Sequence, residues 1–243
     1  MVATIDLSPP AGDVAPAEDL AVTALALARR FAAGATMWCV APRWPAHARH
    51  LAVEFVHPVI MGKRALPAIH LDGPDPADGL RQLARAGDVL AAVGIADDAR
   101  IAALMRRSEA WGLTRLWLGA GPRPPSGLAE HVVWAESADP TVAVRSGDVV
   151  MLYHLLWELT HVVFEHPGLL EEEPSCTDDV CTTCSDEGRV AEVRSADGAG
   201  RAEVIAAGKL ETVDVSLVDP VRPGDLLLVH AGVALTSLGD GEP

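Results

Sequence analysis

Three of the chain's four cysteines fall within nine residues, C-T-D-D-V-C-T-T-C, at Cys176, Cys181 and Cys184. Thiolates at such spacing hold a soft or borderline metal, or work as a dithiol. A closed zinc site would need a fourth ligand, and none is evident beside them. Free thiols on a polar stretch are the plainer reading, although unpaired cysteine is more usually buried. Some fifty residues on, the run D-L-L-L-V-H ends at His230. That histidine either serves the thiols or simply closes a strand and bonds to backbone.

The elements that must position these groups divide the chain. Residues 1–17 are rich in Pro, Ala and Asp and read as a flexible N-terminus. A helix is expected from about Ala17 to Ala33, with Leu20, Leu25, Leu27 and Phe31 apolar and Gly34 as its stop. Strands are expected at 35–41, 67–71, 88–94, 114–120 and 131–135. Helices lie between them, from Pro45 to Pro58, after D-G-P-D-P, and over 97–112. A long helix follows, from about Ser146 to Glu165, and His166-Pro167-Gly168 breaks it. Strands alternating with helices at this spacing imply a doubly wound parallel sheet covered on both faces, over residues 18–167.

Residues 168–180 read as a polar linker. Beyond it the rhythm changes to short strands at 189–193, 202–207, 212–218 and 225–230, separated by Gly and Pro turns. That is the pattern of a small β-barrel, placed at 181–238 with a tail at 239–243. There is no internal repeat.

Composition narrows the class. Of 243 residues, 49% are hydrophobic and 4% aromatic, so Ala, Val and Leu fill the core. The net charge of −15 repels nucleic acid and acidic membranes. No apolar run approaches the roughly 20 residues needed to span a bilayer, and the first ten residues lack the basic and apolar regions of a signal peptide. A cytoplasmic protein is expected, where thiols stay reduced.

The run V-D-V-S-L-V-D-P-V-R-P-G-D-L-L-L-V-H-A-G-V-A-L resembles the HypC/HupF hydrogenase-assembly chaperones, over about 60 residues from Cys181 to Leu238. The shared parts are the D-V-x-L-V segment at Asp214–Val218, the P-G-D turn at Pro223–Asp225, the L-V-H-A-G-x-A run at Leu228–Ala234, and a cysteine upstream of G-x-V at Gly188–Val190. The resemblance implies a five-stranded OB-like barrel and a role in building the iron centre of nickel–iron hydrogenases. It implies a transient Fe(CN)2CO fragment carried on a cysteine, with the histidine matching His230 close by. The implied partners are a HypD-like maturation protein and the hydrogenase large-subunit precursor. In the family the cysteine follows the initiator methionine in C-x-x-x-P-G. Here the domain is internal and Glu187 stands where proline is expected. Cys184, four residues before Gly188, is the first choice for the iron ligand, and Cys181 the second.

A second resemblance covers residues 18–166. A-R-H-L-A-V-E-F-V (48–56), L-P-A-I-H-L (66–71), G-D-V-L-A-A-V-G-I (87–95) and Y-H-L-L-W-E-L (153–159) are similar to the sugar isomerase (SIS) fold of phosphoheptose isomerases. It implies a homo-oligomer and a metal site on His50, Glu54 and His154, for which zinc is one candidate. His50 and Glu54 lie four apart on one helical face, so both reach one ion. If the isomerase chemistry persists, Glu54 and His154 are its catalytic residues. Ser146 stands where the family has a glutamine ligand. The family's phosphate loops are replaced by Ala41-Pro42-Arg43-Trp44 and Ala96-Asp97-Asp98-Ala99, and two carboxylates at a helix start repel phosphate. A polar cluster at a subunit contact is the alternative for the triad. His47, His57, His161 and His166 are expected at the surface or at helix ends. The leading expectation is a non-enzymatic maturation factor. The alternatives are a sugar-phosphate isomerase with a fused regulatory barrel, and an interaction scaffold with a zinc-stabilised linker.

Overall fold

The computed structural model describes residues 15–58, 60–73, 75–135, 137, 139, 144, 147–170, 188–218 and 220–239. Ser146 and the three clustered cysteines lie outside them.

Five strands, β1 (Met37–Val40), β2 (Ala68–His70), β3 (Val89–Val93), β4 (Thr114–Ala120) and β5 (His131–Ala135), form one sheet in the order β2-β1-β3-β4-β5. Every pairing is parallel. Side chains alternate across a strand, so each strand feeds two cores. Met37, Cys39, Val89, Ala91, Val93, Leu116 and Leu118 face one side, under α1 (Ala15–Ala32), α2 (Pro45–Val56) and α5 (Asp148–Glu165). Trp38, Val40, Leu90, Ala92 and Trp117 face the other, under α3 (Pro76–Leu83) and α4 (Ala99–Ala110). Both faces are buried, which explains the unbroken apolar runs. Pro45 opens α2, where its missing N–H costs nothing, and Asp75 and Asp98 cap α3 and α4 by accepting from Ala77 N and Arg100 N. Gly119 is required by space. A Cβ there would stand 2.0 Å from Gly94 O and 2.4 Å from the Trp134 ring.

The second unit is a closed barrel in the order β10-β8-β7-β6-β9, built from β6 (Arg189–Ala196), β7 (Arg201–Ala206), β8 (Lys209–Asp214), β9 (Leu226–His230) and β10 (Val233–Gly239). Its interior is filled by apolar residues at every second position, mostly alanine and valine, among them Ala191, Val193, Ala202, Val204, Ala206, Leu227 and Val229. The strand expected at 212–218 is displaced. Ala207 and Gly208, both with positive φ, make a two-residue turn, so β8 starts at Lys209. It stops at Asp214, whose carboxylate accepts from Ser216 N and turns the chain. The fifth strand, β10, begins after a second such turn at Ala231–Gly232.

The barrel rests on the α3/α4 side of the sheet. Val190 and Ile205 pack into that core, and Gly208 N donates to Ala110 O at 2.8 Å. Backbone meets backbone here. A Cβ on Gly208 would lie 2.4 Å from Ala86 Cβ, and one on Gly112 would lie 2.8 Å from the Ala207 carbonyl.

Candidate functional site

Helices α2 and α5 bring His50, Glu54 and His154 together, with one potential ligand atom from each lying within 4.8 Å of the others. The separations are 3.2 Å between His154 Nε2 and His50 Nε2, 3.6 Å from His154 Nε2 to Glu54 Oε2, and 3.9 Å from His50 Nε2 to Glu54 Oε2. Tetrahedral zinc with ligands near 2.0 Å has edges of about 3.3 Å, so these atoms need close only slightly to cap one ion. Two imidazoles and a carboxylate are a suitable donor set, and three protein ligands leave a fourth position open. Both histidines are about two-fifths exposed, so solvent reaches the site.

Behind the triad stands a second row. Tyr153 Oη lies 2.9 Å from His50 Nδ1 and 3.4 Å from His47 Nδ1, and His47 Nε2 lies 2.8 Å from Val144 O. Burial holds the His47 imidazole below its ordinary range. The Val144 carbonyl pulls the other way, and His50 adds to the lowering. Burial, then the Glu54 carboxylate, pushes the Tyr153 phenol up, so it stays protonated. His47 lies in the first turn of α2, at a helix end as expected, but half-buried within a network. His161 departs from expectation. It is buried, with its ring nitrogens 2.9 Å from Trp157 O and 3.0 Å from Arg64 O. The signal for the second row was present: Tyr153 is the chain's single tyrosine, it adjoins His154, and His47 lies one helical turn before His50.

The phosphate positions look wrong for a phosphate. Asp98 is buried at the start of α4 and accepts from Arg100 N at 3.2 Å. Asp97 stands beside it, 3.7 Å from Arg43 Nη1.

In the barrel, His230 ends β9, half-buried. Strands β6 and β9 pair with Arg189 opposite Val229, so the next step of the register sets Gly188 opposite His230. The chain thus enters the barrel beside that histidine. Cys176, Cys181 and Cys184 lie outside the described residues.

One polar centre was not anticipated. Glu192 points out of the barrel from β6 and is 1% exposed. It accepts from Trp111 Nε1 at 2.6 Å and Arg81 Nε at 3.0 Å, and Arg107 Nη1 is 4.0 Å away. Arg107 also donates to Gly224 O in the P-G-D turn, at 2.8 Å. In R-V-A-E-V the alternation marks Glu192 as outward-facing. The docked α3 and α4, with Trp111, bury it.

The α/β unit has the SIS fold. A phosphoheptose isomerase from Francisella tularensis superposes with a TM-score of 0.53 and 15% identity, over 61% of this chain and 90% of that one. A phosphoheptose isomerase from Neisseria gonorrhoeae gives 0.49 and 17%, over 62% and 87%. The barrel belongs to a different class: residues 188–242 match the HupF/HypC family. The sequence matches no curated protein. Among the described residues, no helix is long and apolar enough to cross a membrane.

Proposed function

We propose that this chain is a maturation factor for a nickel–iron hydrogenase, with a HupF/HypC-type barrel as its working part. The observation that carries the reading is the family match over 188–242, together with the register that sets the barrel's entry point opposite His230. The cargo is an Fe(CN)2CO fragment, held by Cys184 or, second, by Cys181. Thiolate is a soft donor suited to low-valent iron, and an imidazole nearby adds a nitrogen ligand or a hydrogen bond to cyanide. Cys184 is four residues from Gly188, so its Cα lies at most about 14 Å from that glycine, within reach of His230. A HypD-like protein would deliver the fragment and the large-subunit precursor would receive it. The SIS-fold unit would pair copies of the chain and hold zinc on His50, Glu54 and His154.

The test is complementation. Cys184→Ala and Cys181→Ala are introduced separately into a deletion strain and hydrogenase activity is measured. Loss in either variant is expected, with infrared bands of cyanide and carbonyl missing from the isolated protein. Full activity from both variants removes the proposed ligand.

The open position on the triad supports a second reading, a metal-dependent sugar-phosphate isomerase. It requires turnover of a heptose phosphate and its loss in Glu54→Gln. The carboxylates of Asp97 and Asp98 oppose it.

A further inference from the structure

We infer that His47 and Tyr153 are positioning residues that preset His50 as a metal ligand, keeping its proton on Nδ1 and its Nε2 lone pair toward Glu54 and His154. The inference rests on reading the triad as a metal site and concerns residues outside it.

The argument is one of hydrogen-bond direction. Val144 O only accepts, so His47 Nε2 must donate to it at 2.8 Å. A neutral imidazole has one N–H, so His47 Nδ1 is then bare and must accept. The hydroxyl 3.4 Å away, on Tyr153, supplies that proton. A phenol has one proton to give. With it turned to His47, the oxygen accepts from His50 Nδ1 at 2.9 Å. The opposite direction sets the His47 lone pair against an oxygen lone pair in a site where Tyr153 is fully buried. Only one direction satisfies all three contacts. It leaves His50 Nε2 unprotonated, 3.2 Å from His154 Nε2 and 3.9 Å from Glu54 Oε2. A metal ligand's outer hydrogen bond fixes its tautomer and raises its basicity, and losing such a partner typically costs roughly 10–100-fold in affinity.

The full-length protein is compared with Tyr153→Phe, His47→Leu, His47→Gln and the Tyr153→Phe/His47→Leu double variant. Two readouts are taken. Long-range proton–nitrogen NMR of the metal-free protein reports the His50 tautomer. Competition against a chromophoric chelator reports the zinc affinity. Wild type is expected to carry the His50 proton on Nδ1. Tyr153→Phe and His47→Leu should lose that preference and bind zinc about 10–100-fold more weakly. His47→Gln should restore both, because an amide donates to Val144 O and accepts from Tyr153. The double variant should be no weaker than Tyr153→Phe, since His47 acts through the phenol. A mere packing role predicts neither the tautomer change nor the glutamine rescue. Zinc binding with unchanged tautomer and affinity in the variants overturns the inference alone. A wild-type protein that binds no zinc overturns the metal reading and the inference with it.

Discussion

The two halves of the molecule hold their candidate chemistry in opposite ways. In the α/β unit, the three candidate ligand side chains stand on α2 and α5, whose buried faces are locked into the sheet's core, and His50 is braced from behind by Tyr153. Little needs to move for an ion to bind. In the barrel, the interior is packed with apolar side chains, mostly alanine and valine, and carries no titratable group among the described residues. The candidate chemistry there lies at the rim, where His230 ends a strand and the chain enters. A braced site suits a resident ion. A rim site suits something accepted from one partner and passed to another.

The contrast can be broken most forcefully at the seam between the halves. Removing Glu192 as Glu192→Ala would leave Arg81, Arg107 and the Trp111 N–H without their shared acceptor. Breaking a buried charge network by deleting one partner costs about 3 kcal/mol or more. Denaturant unfolding should show that loss, together with separate transitions for the two halves. Gly208→Ala should do the same less severely. Its φ of +74° and the 2.4 Å approach to Ala86 would strain or lift the turn, at a cost of about 1–3 kcal/mol.

Metal analysis sharpens the contrast directly. His50→Ala or His154→Ala should remove zinc from the purified protein and leave any iron in place. Cys184→Ala should do the reverse. A substitution that empties both sites would show them to be one.

The smallest expected effect is a pH dependence. His47 and His131 are both held below their ordinary range chiefly by burial; at His131, Glu130 opposes the lowering and Arg30 adds to it. As pH falls through about 6.5 the unfolded chain takes up protons that these folded imidazoles refuse, so stability falls with them. The α/β half should therefore weaken between about pH 7.5 and 5.5, measured by thermal unfolding. His131→Gln should flatten the slope. In the barrel, Asp197 and Asp214 are held low, by bonds from the Ala199 and Arg201 amides and by Ser216, and their contribution is lost only on further acidification, near and below about pH 4.

Local chemistry made much of this architecture readable in advance. Pro45, Gly34 and the apolar strands declare the elements of the α/β half, and β4 and β5 fall at the expected residues. The i, i+4 spacing of His50 and Glu54 declares half a site; its other half, 100 residues away, came from resemblance, because nothing local says which helices meet. The barrel's third strand lies earlier than the apolar Val215 and Val218 suggest, because the positive φ of Ala207 starts it at Lys209 and the Asp214 turn ends it. Tyr153 and His47 carry a local signal, beside His154 and one turn before His50, but their contact with each other joins helices distant in the chain; Glu192 carries none, because its burial depends on the docked α3 and α4.

The meeting of the turn at Ala207–Gly208 with the turn at Trp111–Gly112 has one practical outcome. Main chain lies against main chain there, and a hydrogen bond and a buried carboxylate flank the contact. A protease cut anywhere between 171 and 187 should leave two fragments that travel as one species through a sizing column and separate only in denaturant. Grafting the barrel onto another carrier would then expose Val190 and Ile205 to water, so the excised piece should self-associate more readily unless those two are replaced by polar residues.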